Sequence, residues 1–195
     1  MEMLLVPALS YLIGSFSSAY IVGKAFKKID IRNHGSGNAG ATNALRIMGK
    51  KLGVLTFLMD FAKGVIAVLI GLGLGGYNGG IIAAFFTVVG HNWPIFFKFK
   101  GGKGIATTIG AMAIIQFPIT LISVIVGIAT AVISKYVSLG SLVFLTVLFL
   151  LTFTGLSGGG INTSVLTFSL MILGYYRHKE NIKRLIKGNE NKIGR

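Results

Sequence analysis

Apolar runs of membrane length alternate along the chain with short polar segments. They fall at 3–23, 53–75, 80–97, 104–116, 119–134, 137–155 and 162–176. A helix that crosses the hydrocarbon needs roughly 20 apolar residues, so the pattern predicts an all-α integral membrane protein with about seven transmembrane helices. The fourth and fifth runs are short, and two full spans, two tilted half-spans or a re-entrant pair fit them equally. Turn residues separate the elements: Gly75-Gly76-Tyr77-Asn78-Gly79-Gly80, Pro118 and Gly158-Gly159-Gly160, all without charge. The first run opens with Glu2 instead of a basic stretch and continues to Val22, which reads as a retained first helix, not a signal peptide. No linker, low-complexity tract or repeat divides the chain, so 1–195 is expected to form a single domain.

Charge placement adds an orientation. Of the 19 Lys and Arg residues, those outside the spans lie in 24–52, in 98–103, at Lys135 and in the tail from Arg177 to Arg195. With seven crossings all of these fall on one face of the bilayer, whereas six crossings would scatter them. By the excess of Lys and Arg in cytoplasmic loops, that face is the cytoplasm, with the N-terminus outside and the C-terminus cytoplasmic. Five crossings plus an intramembrane hairpin satisfy the same parity. The remaining basic residue, Lys63, shares the second apolar run with Asp60, three residues away and on the same helix face. Intramembrane charges default to a functional hypothesis. Here a structural ion pair is the preferred reading, because the pair lies well below the basic loops.

Composition narrows the classes. Only 12% of the 195 residues are charged and 53% are hydrophobic, against about 25% charge in a soluble domain. A net charge of +14 on a soluble chain would suggest nucleic acid; interleaved with apolar spans, it points to anionic lipid headgroups or phosphorylated substrates. The chain has no cysteine, which excludes disulfides and thiolate chemistry.

Three polar stretches carry candidate chemistry. In the first, Asp30 to Arg46, the residues Gly35, Gly37 and Gly40 match G-x-G-x-x-G, and Gly35 to Thr42 nearly matches a Walker loop. Neither nucleotide reading holds: the flanks are membrane helices, not a βαβ unit, and Ala41 stands where the Walker lysine belongs. The shared physics survives. Closely spaced glycines let backbone N–H groups converge on a phosphate, Ser36, Asn38, Thr42 and Asn43 add donors, and Arg46 can clamp a phosphate bidentately. In the second stretch, Gly90 to Gly104, aromatic residues and lysines alternate as interfacial anchors. Gly101-Gly102-Lys103-Gly104 then turns directly into a helix N-terminus, where N–H groups, dipole and Lys103 all favour an anion. His91 lies deeper and reads as a hydrogen-bonded packing residue. In the third, Tyr176 to Leu185, a helix would place His178, Asn181 and Leu185 on one face.

These stretches resemble the motifs of the bacterial membrane acyltransferases that use acyl phosphate and glycerol 3-phosphate, the PlsY family. Its S-G-N-x-G-A-T-N, G-H-x-x-P-x-F-x-x-F-K-G-G-K-G and R-H-x-x-N-I-x-R-L motifs read here as Ser36–Asn43, Gly90–Gly104 and Arg177–Leu185. Lys179 replaces a frequent arginine, and Lys98 stands where a small residue is expected. The resemblance implies seven helices with the three motifs on the cytosolic side of the bacterial inner membrane. It also implies acyl transfer from acyl phosphate to the 1-hydroxyl of glycerol 3-phosphate, giving lysophosphatidate and phosphate. In that reading Ser36, Gly37, Asn38, Gly40, Thr42 and Asn43, with Gly101 and Gly102, hold phosphate. Arg46, Lys103 and His178 clamp phosphate or stabilise developing charge, and Asn181 orients the hydroxyl or polarises the carbonyl. Ser141, at the cytosolic end of the sixth run, is a weaker candidate. No carboxylate follows a histidine by five residues in the manner of the acyl-CoA acyltransferases, so the base is either His178 or the leaving phosphate. The implied partners are the two small-molecule substrates and membrane lipids, with no cofactor, metal, nucleic acid or obligate protein partner.

A transporter of a phosphorylated solute is the main alternative, and it predicts inverted repeats and polar residues near the midplane. A metal-dependent lipid phosphotransferase would need clustered carboxylates, and the chain has five acidic residues, scattered.

Overall fold

The computed structural model describes residues 2–155, 158 and 160–193. Gly159 of the predicted triple-glycine turn and Arg195 of the basic tail lie outside the described residues. The fold is all-α and membrane-embedded, with several long apolar helices; among the described residues there is no strand. Two compact units divide the chain, Met1–Ile115 and Gln116–Arg195.

In the first unit the predicted opening span is broken. Helix α1 (Glu2–Gly14) stops, Ser15 to Ser17 leave the helix, and α2 (Ser18–Val22) resumes before a π-helical turn over Gly23–Lys27. Helix α3 (Ala41–Met48) is a short surface element. Helix α4 (Lys50–Asn92) contains the second apolar run and most of the third, and non-helical angles at Gly75 and Gly76 fold it back on itself. Gly71 then lies against Gly79, where a Cβ would approach the Gly79 carbonyl oxygen to 2.5 Å. The turn returns α4 to the end of the unit it started from. The loops before α3 and after α4 therefore sit together.

The helices approach through small residues, as expected where lipid gives no hydrophobic drive to helix association and close backbone packing decides it. Gly14 and Gly90 let α1 run against the second half of α4, facing Thr87 and Tyr11. Gly64 and Gly110 let α5 (Ile105–Ile115) run against the first half, facing Thr107 and Phe61. At 11 residues and about 1.5 Å per residue, α5 reaches roughly half of a ~30 Å hydrocarbon layer. Its polar N-terminal loop must therefore lie at one surface or dip below it.

The second unit contains α6 (Phe117–Ser134), α7 (Val137–Phe153), α8 (Gly160–Arg177) and the short amphipathic α9 (Lys179–Ile186). Gly127 and Gly140 bring α6 and α7 into backbone contact. Leu121, Ile122, Ile125, Ile128, Val132 and Ile133 are left exposed on α6, a surface suited to lipid tails. The tail returns to the α6–α7 turn, where Ile193 N–H donates to the Lys135 carbonyl oxygen (2.8 Å).

Replacing Gly110 by valine should destabilise the first unit by at least about 1–3 kcal/mol, the usual cost of forcing atoms into a packed site. A Cβ there would fall on the Phe61 carbonyl oxygen, and backbone cannot swing aside. Thermal unfolding of the detergent-purified protein measures the loss, and an unchanged Tm would refute the packing assignment.

Candidate active site

The first polar stretch is folded by its own side chains. Asp30 accepts from Arg32 through the backbone N–H (3.1 Å), Nε (3.0 Å) and Nη2 (2.7 Å). Arg32 also lies over the Tyr20 ring and donates through Nη1 to the Phe97 carbonyl oxygen (3.0 Å). One guanidinium thus ties the first stretch to the second. The hydrogen bonds from Arg32 hold the Asp30 carboxyl below the ordinary carboxylate range, and the same pairing raises Arg32.

Asn43 organises the loop from beneath. It is buried, its Oδ1 accepts from Ser36 N–H (3.0 Å), and its Nδ2 donates to the carbonyl oxygens of His34 (2.9 Å) and Ile31 (3.3 Å). Both amide protons are therefore spent inside the loop. Gly35 and Gly37 adopt left-handed angles (φ 60° and 70°). At Gly35 a side chain would also collide with Asn43 Oδ1, so this turn requires glycine. Ser36 and Gly37 remain exposed at its tip, Asn38 and Thr42 are half-buried, and Gly40 starts α3 without a side-chain cap. The first N–H groups of that helix have no intrahelical acceptor. Arg46 stands on the exposed side in its last turn.

The second stretch sits directly against the first. Gly102 N–H donates to the His91 carbonyl oxygen (3.1 Å), closing the end of α4. A Cβ on Gly101 would meet the same carbonyl oxygen at 2.1 Å, and one on Gly102 would meet His91 Nε2 and, at 3.1 Å, the Ala39 carbonyl oxygen. The two glycine-rich segments therefore touch through backbone, and Gly101-Gly102 is fixed by close approach. Lys103 is half-buried beside them and Gly104 leads into α5. Lys98 has a left-handed φ of 56°, which explains why a small residue is the expected occupant there.

Two further polar residues, one in each unit, stand out that sequence pattern did not single out. Asn92 is fully buried, neither amide atom has a hydrogen-bond partner, and its Oδ1 lies 3.0 Å from the position of a Gly104 Cβ. In the second unit, Glu190 accepts from Asn181 Nδ2 (2.8 Å) and Arg184 Nε (2.8 Å), with all of its carboxylate engaged. A lone asparagine and a lone tail glutamate carry no spacing signal, so only folding could reveal either.

His178 and Asn181 are both buried. His178 Nδ1 lies 2.7 Å from the Gly174 carbonyl oxygen. A carbonyl can only accept, so Nδ1 holds the proton and the lone pair of the neutral ring is on Nε2. Ser141 donates its hydroxyl proton to the Val137 carbonyl oxygen (2.9 Å) in its own helix. Among the described residues, no three His, Cys, Asp or Glu side chains gather at metal-ligand spacing.

Asn43→Asp removes both amide donations and adds a charge facing two carbonyl oxygens. At about 0.5–1.5 kcal/mol per lost bond, the 34–40 loop should become protease-sensitive while the spans keep their helicity. Asp30 gives a pH signature of definite sign. Its folded pKa is depressed, so its contribution is complete above the unfolded carboxylate value of about 4 and disappears as pH falls through the folded value. Cleavage of the loop by an acid-stable protease should stay low at pH 5 and rise below about pH 4. Asp30→Asn should abolish that rise.

A family model described as glycerol-3-phosphate acyltransferase matches residues 4–188. A glycerol-3-phosphate acyltransferase of Thermoanaerobacter pseudethanolicus is 46% identical over 100% of this chain and 97% of its own. One from Halalkalibacterium halodurans is 46% identical over 95% of this chain and 93% of its own. The crystal structure of PlsY, an integral membrane glycerol 3-phosphate acyltransferase, in its glycerol 3-phosphate form superposes with a TM-score of 0.93. It is 38% identical, covering 100% of this chain and 96% of that one. The lysophosphatidic acid form gives a TM-score of 0.91 at 36% identity, with the same coverage.

Proposed function

The chain belongs to the glycerol-3-phosphate acyltransferase family, and on that premise we propose that it transfers a fatty acyl group from acyl phosphate to the 1-hydroxyl of glycerol 3-phosphate. The observation that carries the proposal is the backbone contact between two glycine-rich segments, at Ala39 and Gly102, with Arg46 and Lys103 on the same two segments. Both substrates carry phosphate, and a reaction between them needs two dianions held side by side by N–H groups and fixed cations.

The roles divide by what each side chain has left to offer. Ser36, the backbone around Gly37 to Gly40, Asn38 and Thr42 would bind one phosphate. Asn43, with both amide protons committed, would act by fixing the Ser36 N–H. The turn at Gly101 and Gly102, its shape fixed by the Gly102 N–H on the His91 carbonyl oxygen (3.1 Å), would bring the backbone at the start of α5 and the Lys103 charge to the other phosphate. Arg46 and Lys103 would stabilise charge as it develops on the departing phosphate. In the second unit Asn181, held by Glu190, would orient the hydroxyl or polarise the acyl carbonyl. Ser141, its proton bound within the helix, would at most accept a hydrogen bond.

In the reaction, the 1-hydroxyl oxygen forms a bond to the acyl carbon and the bond from that carbon to the phosphate oxygen breaks. Inorganic phosphate departs, and the hydroxyl proton goes to that phosphate or to the Nε2 lone pair of His178. Acyl phosphate is an activated mixed anhydride, so positioning and charge neutralisation supply much of the rate. The leaving phosphate is the favoured acceptor, because it is a base delivered beside the reacting hydroxyl.

We further take 1–195 as one acyltransferase domain of a bacterial inner membrane, with an odd number of crossings, about seven, and the polar loops facing the cytoplasm. The fold-back of α4 and the basic loops at its two ends support this orientation. The transporter alternative loses its intramembrane charges, since Asp60 and Lys63 are engaged with each other (2.9 Å).

Purified protein given acyl phosphate and glycerol 3-phosphate should form lysophosphatidate, with none from acyl-CoA; no product from either donor would refute the proposal. Arg46→Ala and Lys103→Ala should each lower kcat by about 10²–10³-fold, the scale for losing one charge-stabilising donor. An active His178→Ala enzyme with an unchanged pH–rate profile would remove histidine as the base.

A further inference from the structure

The buried charges inside the first unit are joined to the Gly101–Gly104 loop by an unbroken set of contacts. Asp60 Oδ1 accepts from Ser18 Oγ (2.7 Å) and from Lys63 Nζ (2.9 Å). Lys63 Nζ also donates to the carbonyl oxygens of Gly14 (3.1 Å) and Phe16 (2.9 Å), groups freed where α1 breaks. Its fourth neighbour is His91 Nδ1, at 2.8 Å. The ammonium carries three protons for these four neighbours, and His91 Nδ1 is held against both members of the ion pair, with Asp60 Oδ1 at 3.4 Å. The Nε2 edge faces Gly102 so closely that no side chain fits between them, and the His91 carbonyl oxygen takes the Gly102 N–H (3.1 Å).

An ion pair serving only to pin helices has no need of a histidine, and an aliphatic residue would satisfy packing at position 91. Here one side of the ring is fixed by the ammonium, and the other side forms the floor under a phosphate loop. We propose that Asp60, Lys63 and His91 are positioning residues that set the geometry of the Gly101–Gly104 loop from inside the membrane domain. The proposal rests on the reading that this loop holds a substrate phosphate. The mechanism is steric and electrostatic. The α1 break and Asp60 fix Lys63, Lys63 fixes the rotation of the imidazole, and the imidazole fixes the height of the Gly102 backbone. No proton transfer and no direct substrate contact is required of any of the three. A displacement of about 1 Å in an element that positions a substrate can cost up to 10²-fold in rate, so a shift of the loop should be readable kinetically.

The test compares KM for each substrate with kcat, using the full-length protein in detergent. Gly102→Ala, which pushes the loop off the imidazole, identifies the substrate whose phosphate rests there by raising that substrate's KM. His91→Ala and the charge-neutral pair Asp60→Asn/Lys63→Met should raise the KM of the same substrate roughly tenfold, leaving the other KM within twofold. His91→Asn keeps a polar group at the Nδ1 position but empties the Nε2 edge, and should reproduce most of the His91→Ala effect. The paired substitution avoids an unpaired buried charge; if it does not fold, the His91 variants decide. Folded His91 variants with both KM values unchanged, alongside a Gly102→Ala enzyme with one KM raised, would overturn the proposal and spare the phosphate-loop reading. A loss of kcat alone, in proportion to the folded fraction, would also overturn it. If Gly102→Ala is active with both KM values unchanged, the loop holds no substrate phosphate and both fall together.

Discussion

A bilayer core offers no water to a backbone N–H, a carbonyl or a charge, so each must find a protein partner or stay out. Much of the first unit follows from how this constraint is met at one place. Helix α1 stops at Gly14 and leaves carbonyl oxygens pointing into the protein. Lys63 takes two of them, Asp60 balances the lysine, and Ser18 at the start of α2 returns to Asp60. A broken helix is thereby made tolerable inside an apolar domain. The break itself gives the chain a polar face directed at His91 and the end of α4.

The same economy governs the polar loops. They contain few side chains that could serve a substrate and many that hold the loop in shape. Asn43, Asp30, Arg32 and, in the second unit, Glu190 are committed to internal hydrogen bonds. What they leave is the uncapped start of α3, a serine at the loop tip and a few cations. Such a surface suits two phosphates better than a nucleophile or a metal. It also fits chemistry in which the donor arrives already activated, and the protein's task is to align and neutralise.

The polar motifs illustrate how far residue pattern reaches. Ser36 to Asn43 and Gly101 to Gly104 were legible as tight glycine turns, because glycine spacing and small polar residues report close backbone approach directly. Asn43 was read as a phosphate donor because its residue type allows it; burial and three hydrogen bonds assign it to the loop. Lys98 was noticed as out of place, and its left-handed backbone says why. Glu190 and Asn92 gave no signal, since the first acts through a turn of the tail and the second through a contact across the α4–α5 connection.

The sequence by itself determined the membrane class, the number and position of the apolar runs, and the segregation of basic residues into a few loops. These are set by local composition, which lipid reads one segment at a time. It also carried the family, because three motifs of fixed order are local strings. Tertiary structure alone decided that the first run breaks at Ser15 to Ser17 and that α5 is a helix of only 11 residues. It likewise decided that α4 folds back at Gly75 and Gly76 to bring Ala39 against Gly102, and that Asp60 and Lys63 extend through His91 to a loop far along the chain. Each of those depends on which backbone groups meet across helices, and hydrogen-bond satisfaction between distant segments is written in no single stretch of residues.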